Sequence, residues 1–182
     1  MVYPKLMPLT PIRKLVVTAL FSAAGLSAQS APPETAWKPL EFLIGTWEAT
    51  TIGGSAGAVA SGTYSFQLEL RGHVLARHSG NSECKGPADF NCEHGDLLYV
   101  YPDAGGRSFQ AIYFDNEGHV IHYDVSTPAA NQAIFLSNPS QPGPQYRLSY
   151  QRKGSKMHGV FQMRMPGAAE FKSYLEWGGE KK

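Results

Sequence analysis

Residues 113 to 123 read YFDNEGHVIHY and set His119 and His122 three positions apart among aromatic residues. Imidazole is the side chain best suited to moving protons near neutral pH, and it is a common metal ligand. In an extended chain, however, side chains alternate, so residues three apart face opposite ways. Two donors for one metal must converge, which disfavours His119 and His122 as a shared metal site unless a bulge intervenes. His119, Ile121, Tyr123 and Val125 fall on one face of the strand; Val120, His122 and Asp124 fall on the other. Only one of His122 and Tyr123 can point into an interior, and the pattern leaves open which. Asp124, on the same face as His122, could orient its imidazole for general acid–base chemistry. Asp115 to Gly118 read as a turn, with Gly118 free to take positive φ.

Arg77 and His78 are neighbours, so again only one can be internal. Arg77 shares its face with Leu75, which makes it a candidate anchor for a ligand carboxylate or phosphate. Pairing with Glu69 or another carboxylate at the barrel end is the competing role. Cys84 and Cys92, the only cysteines, flank the loop-forming KGPADFN and are expected to form a disulfide. His94 stands close by, but it does not complete a metal set. The chain has no His-Glu-x-x-His and no phosphate-binding glycine loop. No catalytic residue is assigned, and enzyme activity ranks behind binding.

Two kinds of element must hold these residues. Residues 1–28 have the form of a signal peptide: Lys5, Arg13 and Lys14 precede the apolar run Leu15 to Leu26, and Ser27 and Ala28 follow. That run is shorter than the roughly 20 residues a spanning helix needs, so no stable membrane span is expected after cleavage. Residues 29–38 read as a flexible lead-in, and 39–182 as a single domain with one core. Residues 29–182 hold 13 basic against 15 acidic residues, a net charge of −2 that gives no footing for nucleic acid. A periplasmic or secreted location is expected.

From Trp47 onward, short alternating runs are separated by Gly, Pro, Asn and Asp. In GTYSFQLEL, Tyr64, Phe66, Leu68 and Leu70 share one face; in YRLSYQRK, Tyr146, Leu148 and Tyr150 do. Met157, Phe161, Met163 and Met165 form a third such row. The pattern predicts strands near 45–52, 62–70, 74–82, 94–101, 107–114, 119–126, 131–137, 145–152, 156–165 and 171–177. Short hairpin links make a meander, and an up-and-down barrel of about ten strands pairs its two end strands, with a two-sheet sandwich as the alternative. A helical turn is expected around Pro39 to Leu43.

PLEFLIGTWEAT puts that turn directly before Gly45-Thr46-Trp47. This resembles the Gly-x-Trp opening of lipocalins and the wider calycin group. FLIGTWE is more similar to nitrobindin-like barrels and to uncharacterised secreted bacterial proteins of calycin-like fold, as are HGDLLYVYPDAGGR and YFDNEGHVIHYDV. The resemblance implies structural roles for Gly45 and Trp47 and a basic residue over the Trp near the last strand, for which Lys172, Arg152 and Arg164 are the candidates. It further implies an interior that takes a small apolar or amphipathic molecule. Tyr64, Phe66, Arg77, Tyr113, His122, Tyr123, Tyr146, Tyr150, Phe161 and Met163 are the expected pocket residues. Haem is the alternative that a nitrobindin-like barrel brings, with His122 or His158 as ligand; otherwise no cofactor or metal is expected.

Overall fold

The computed structural model describes residues 34–139 and 143–182; the expected signal peptide lies outside the described residues. A 3-10 helix, Glu34–Leu43, precedes ten strands. These are β1 (Gly45–Gly53), β2 (Val59–Glu69), β3 (Val74–Lys85), β4 (Asp96–Pro102), β5 (Phe109–Asp115), β6 (Val120–Ser126), β7 (Gln132–Ser137), β8 (Gln145–Lys153), β9 (Lys156–Arg164) and β10 (Lys172–Lys181). Every strand pairs antiparallel with its sequence neighbour, and β1 pairs with β10, so the barrel is closed. All ten expected strands are present, and the sandwich alternative is set aside by that pairing.

The N-terminal helix starts earlier than the sequence suggests, taking in residues 34–38 of the expected lead-in. The reason is Trp37. Its ring is buried and stacks on Phe109 at 5.1 Å, and its indole N–H donates to the Gly72 carbonyl at 2.8 Å. Leu40, Phe42 and Leu43 are buried with it, so the helix seals this end of the barrel with apolar side chains.

The same end explains Gly45-Thr46-Trp47. Trp47 is fully buried and donates its indole N–H to the Leu43 carbonyl at 2.8 Å, tying strand to helix. Lys181 lies across this corner with its ammonium 5.8 Å from the centre of the Trp47 ring. Its stem passes so close to Gly45 that a Cβ there would stand 2.8 Å from Lys181 Cε, and Gly45 has φ +128°. The positive φ is what requires glycine there, since the flexible lysine stem can move aside. The basic residue over the Trp is Lys181, not Lys172, Arg152 or Arg164.

Inward side chains fill the barrel unevenly. Trp47, Phe66, Leu75, Val100, Phe135, Tyr150 and Met157 are packed to near-zero exposure toward the helix-capped end. Tyr150 meets Phe66, Phe135 and Trp177 edge-on at 5.4 to 6.1 Å, the geometry that ring quadrupoles favour. Leu70 departs from its expected inward row: it sits in the tight turn Leu70–Gly72 with φ +48° and is exposed. Met165 falls past the end of β9 and is exposed as well.

Trp177 can lie flat across β9 only because its partner there is Gly159. A Cβ at Gly159 would stand 2.1 Å from Trp177 Cε2, in the middle of a rigid ring. Gly159→Ala should therefore destabilise the barrel by about 3 kcal/mol, toward the upper end of overpacking costs. Gly80→Ala, where a Cβ meets nothing within 4 Å, should change stability by less than about 0.5 kcal/mol. Urea unfolding midpoints of the two variants test the contrast.

A polar cluster at the mouth of the barrel cavity

Away from the helix-capped end the barrel holds a cavity of about 390 Å³. Its walls are mostly apolar, with Ile121, Leu148, Phe161, Met163 and Leu175 among them. The loop closed by the Cys84–Cys92 disulfide contributes Phe90 and Asn91, and the β5–β6 hairpin contributes Asp115, Glu117 and His119. Both loops frame the same opening.

Hydrogen bonds join them. Asn116 donates its side-chain amide to the Glu93 carbonyl at 2.8 Å and accepts from the Gly95 N–H at 3.2 Å. Its own backbone N–H donates to the Gly95 carbonyl at 3.1 Å. Asn91 donates to Glu117 at 3.2 Å. The hairpin itself is set by Asp115, whose carboxylate accepts from the backbone N–H groups of Glu117 and His119 and meets His119 Nδ1 at 2.8 Å. Gly118, with φ +89°, supplies the reversed backbone the turn needs.

His94 stands at the centre of the opening. Its Nδ1 contacts Glu117 Oε1 at 2.8 Å, while Nε2 is 3.0 Å from the Tyr113 hydroxyl and 3.5 Å from Asp96 Oδ2. Both ring nitrogens face acceptors, an arrangement that suits the imidazolium. Hydrogen bonding to Asp96, aided by Glu117 and opposed by partial burial, raises the His94 pKa to about 9. Behind it, Asp96 is also ion-paired with Arg77, and both side chains are about nine-tenths buried. Burial opposes the Asp96 charge, but Arg77 and His94 outweigh it and hold the carboxyl below its ordinary range. Burial likewise opposes the Arg77 charge, and Asp96 outweighs it with smaller help from tyrosines. The pair is thus an ion pair at neutral pH.

At the floor of the cavity lie Tyr64, Arg77 and Trp177. Arg77 sits with its guanidinium carbon 5.3 Å from the Tyr64 ring centre. The Tyr64 hydroxyl, Arg77 Nε and Trp177 Nε1 are buried with no hydrogen-bond partner among the described residues. Burial, tempered by Arg77 and Trp177, pushes the Tyr64 phenol up to about 12.

The expected pocket residues divide three ways. Tyr64, Arg77, Tyr113, Tyr123, Tyr146, Phe161 and Met163 line the cavity. Phe66 and Tyr150 point inward but lie in the packed part and do not line it. His122 is the correction: it faces outward and is exposed, as is Asp124, while Tyr123 is buried. The reason is the register of β5 and β6, where Tyr113 pairs with Ile121 and Ala111 with Tyr123, placing the odd-numbered residues of β6 inside. The pair formed by His122 and Asp124 therefore lies outside the cavity. Arg77 pairs with Asp96 rather than with Glu69, which instead meets His78 at 2.9 Å on the outer surface.

Of the haem candidates, neither His122 nor His158 fits a group held inside the barrel. His158 projects outward beside inward Gly159 and is 3.8 Å from Glu176. His94, Asp96, Glu117 and Trp177 were absent from the expected set. A faint signal for two of them exists: in HGDLLYV, His94 and Asp96 continue the same alternating row as Leu98 and Val100, so an acid stands in line with core residues.

No protein-family profile matches the chain, and no curated protein matches it in sequence. The closed ten-stranded antiparallel barrel is compatible with a calycin-like fold.

The His94 network predicts a definite pH response. Because the folded pKa of about 9 lies above the ordinary histidine value near 6.5, its stabilisation is complete below about pH 6.5 and is lost as pH rises through 9. Asp96 and Glu117, both depressed, contribute above about pH 4 and lose their contribution as pH falls. The melting temperature should decline between pH 6.5 and 9.5 in the native protein, and His94→Gln should flatten that decline. Equal slopes in the two proteins would remove His94 as its source.

Proposed function

We propose that the protein is an exported, calycin-like carrier or sensor that binds one small apolar or amphipathic molecule in the open half of its barrel. The observation that carries this reading is the cavity itself. It has the size of small-molecule sites and the usual makeup of such sites, with aromatic and aliphatic walls and a few convergent polar groups. A barrel serving only as a scaffold has no need of a half-empty interior, since each unfilled methyl-sized space costs stability. The Cys84–Cys92 disulfide supports export, because such bonds persist in oxidising compartments.

One observation favours a second reading as an enzyme. Asp96, His94 and Tyr113 form a contiguous chain of titratable groups on the cavity wall. With its pKa near 9, His94 would serve at neutral pH as a proton donor rather than a base.

Native mass spectrometry of the purified protein tests both. The binding reading expects a one-to-one adduct that survives gentle ionisation, and expects it to vanish in Leu148→Trp, where an indole would fill the cavity. A released molecule of altered mass after incubation would move the reading to catalysis. Haemin addition to the same sample serves as a control, since a shifted Soret band would point to haem instead.

A further inference from the structure

Two basic residues continue inward-facing rows of the barrel at the end opposite the ligand cavity. On β8, Arg152 follows buried Leu148 and Tyr150 in the alternating row and pairs across β9 with buried Met157. On β10, Lys181 follows buried Trp177 and Gly179 in the same way and pairs with Trp47. Both cations therefore rise from the inner face where the strands reach the helix-capped end. The backbone N–H of Arg152 and the side-chain amide of Gln151 donate to the Asn131 carbonyl at 2.9 and 3.2 Å, which fixes the end of β8 against the β6–β7 link.

An open cleft of about 680 Å³ lies there, lined by Arg152, Lys181, the β6–β7 link and the helix, which adds Lys38. Arg152 is half-buried, while Lys38 and Lys181 are exposed, so a solute can reach all three. None of them is ion-paired among the described residues. Lys181 faces the Trp47 ring, which attracts the ammonium without neutralising it. Glu41 is the one acid on the lining, so three cations against one carboxylate leave two positive charges in the cleft. Residues 29–182 carry a net −2, so this charge is concentrated against the sign of the chain. A concave surface of one sign raises the local concentration of the opposite ion.

The donor types indicate which anion fits. A guanidinium presents a planar fork that matches two oxygens of a phosphate, and lysines add point charges on flexible stems. Two surplus charges balance a phosphate dianion, whereas a carboxylate would balance only one. We infer that the cleft at the helix-capped end binds a phosphate group, with Arg152 as the fork and Lys38 and Lys181 closing over it. The resemblance offered Arg152 as a cover for Trp47; Lys181 fills that role and leaves Arg152 to the cleft. This site is separate from the cavity and does not depend on what the cavity holds.

Calorimetric titration of the full protein with inorganic phosphate at low salt should show saturable one-to-one binding, tighter than that of acetate. Arg152→Gln should weaken it about tenfold, the lower end of what hydrogen bonds to a charged partner contribute. Lys38→Gln, at an exposed position where folding is not at stake, should weaken it as well. Lys153→Gln removes the same charge one residue further on, outside the cleft lining, and should leave binding unchanged. Flotation with phosphatidylcholine vesicles, with and without phosphatidic acid, distinguishes the source of the phosphate. Flotation that requires phosphatidic acid and is lost in Arg152→Gln supports the site with a lipid headgroup in it; phosphate binding without flotation supports it with a soluble phosphate compound. Binding that Arg152→Gln leaves unchanged, or that Lys153→Gln weakens equally, would overturn the inference, as would acetate binding as tightly as phosphate. Absence of both phosphate binding and flotation would overturn it too, and would leave the cavity reading standing.

Discussion

The pairing of β1 with β10 is the contact on which the rest of the molecule depends. It turns a meander of hairpins into a closed wall and leaves no unpaired strand edge. It also gives every strand an inside. Closure sets a limited cross-section, and at one end aromatic and aliphatic side chains fill it while the helix Glu34–Leu43 seals it. Trp47 and Lys181, brought together only by closure, cover that seam. The far end contains a cavity because its inward residues stop short of filling the same cross-section. Packing at one end is what permits space at the other: the core stabilises the barrel enough to hold the open half in shape.

Charge is organised around the same division. Arg77 sits where the packed and open parts meet, too deep to stay charged without a partner, and Asp96 on the neighbouring strand supplies one. Asp96 in turn holds His94, and His94 holds Glu117 on the β5–β6 hairpin. One buried cation thereby sets the position of both loops at the opening. The disulfide acts on the same place from the other side, fixing the ends of the loop that carries Phe90 and Asn91. Floor, wall and rim are therefore electrostatically linked.

Much of this was legible in local pattern. The alternation in GTYSFQLEL and YRLSYQRK announces strands with one buried face, because side-chain period two is a property of the extended chain itself. Turn residues located the hairpins, and the even number of cysteines around a loop announced the disulfide. The objection to a two-histidine metal site also needed only the period, and His119 and His122 do face opposite ways. The ring of strands was an inference from edge avoidance, which does not depend on identifying any partner residue. Less legible were Lys181 over Trp47 and the early start of the helix at residue 34, since each depends on a contact with a residue far away in the chain.

What the sequence by itself determined is which residues alternate, where the chain turns, and that about ten strands follow one another as a meander. Only the tertiary structure decided which face of each strand is the inside, how far the interior is filled, and which charges meet. Tyr123 rather than His122 enters the barrel because of the β5–β6 register, and Arg77 meets Asp96 because both point inward on neighbouring strands, whereas Glu69 lies on the outer face with His78. Nothing local distinguishes those outcomes. Alternation is set by backbone geometry within a few residues, whereas facing, filling and pairing are set by distances between strands, and those exist only once the barrel has closed.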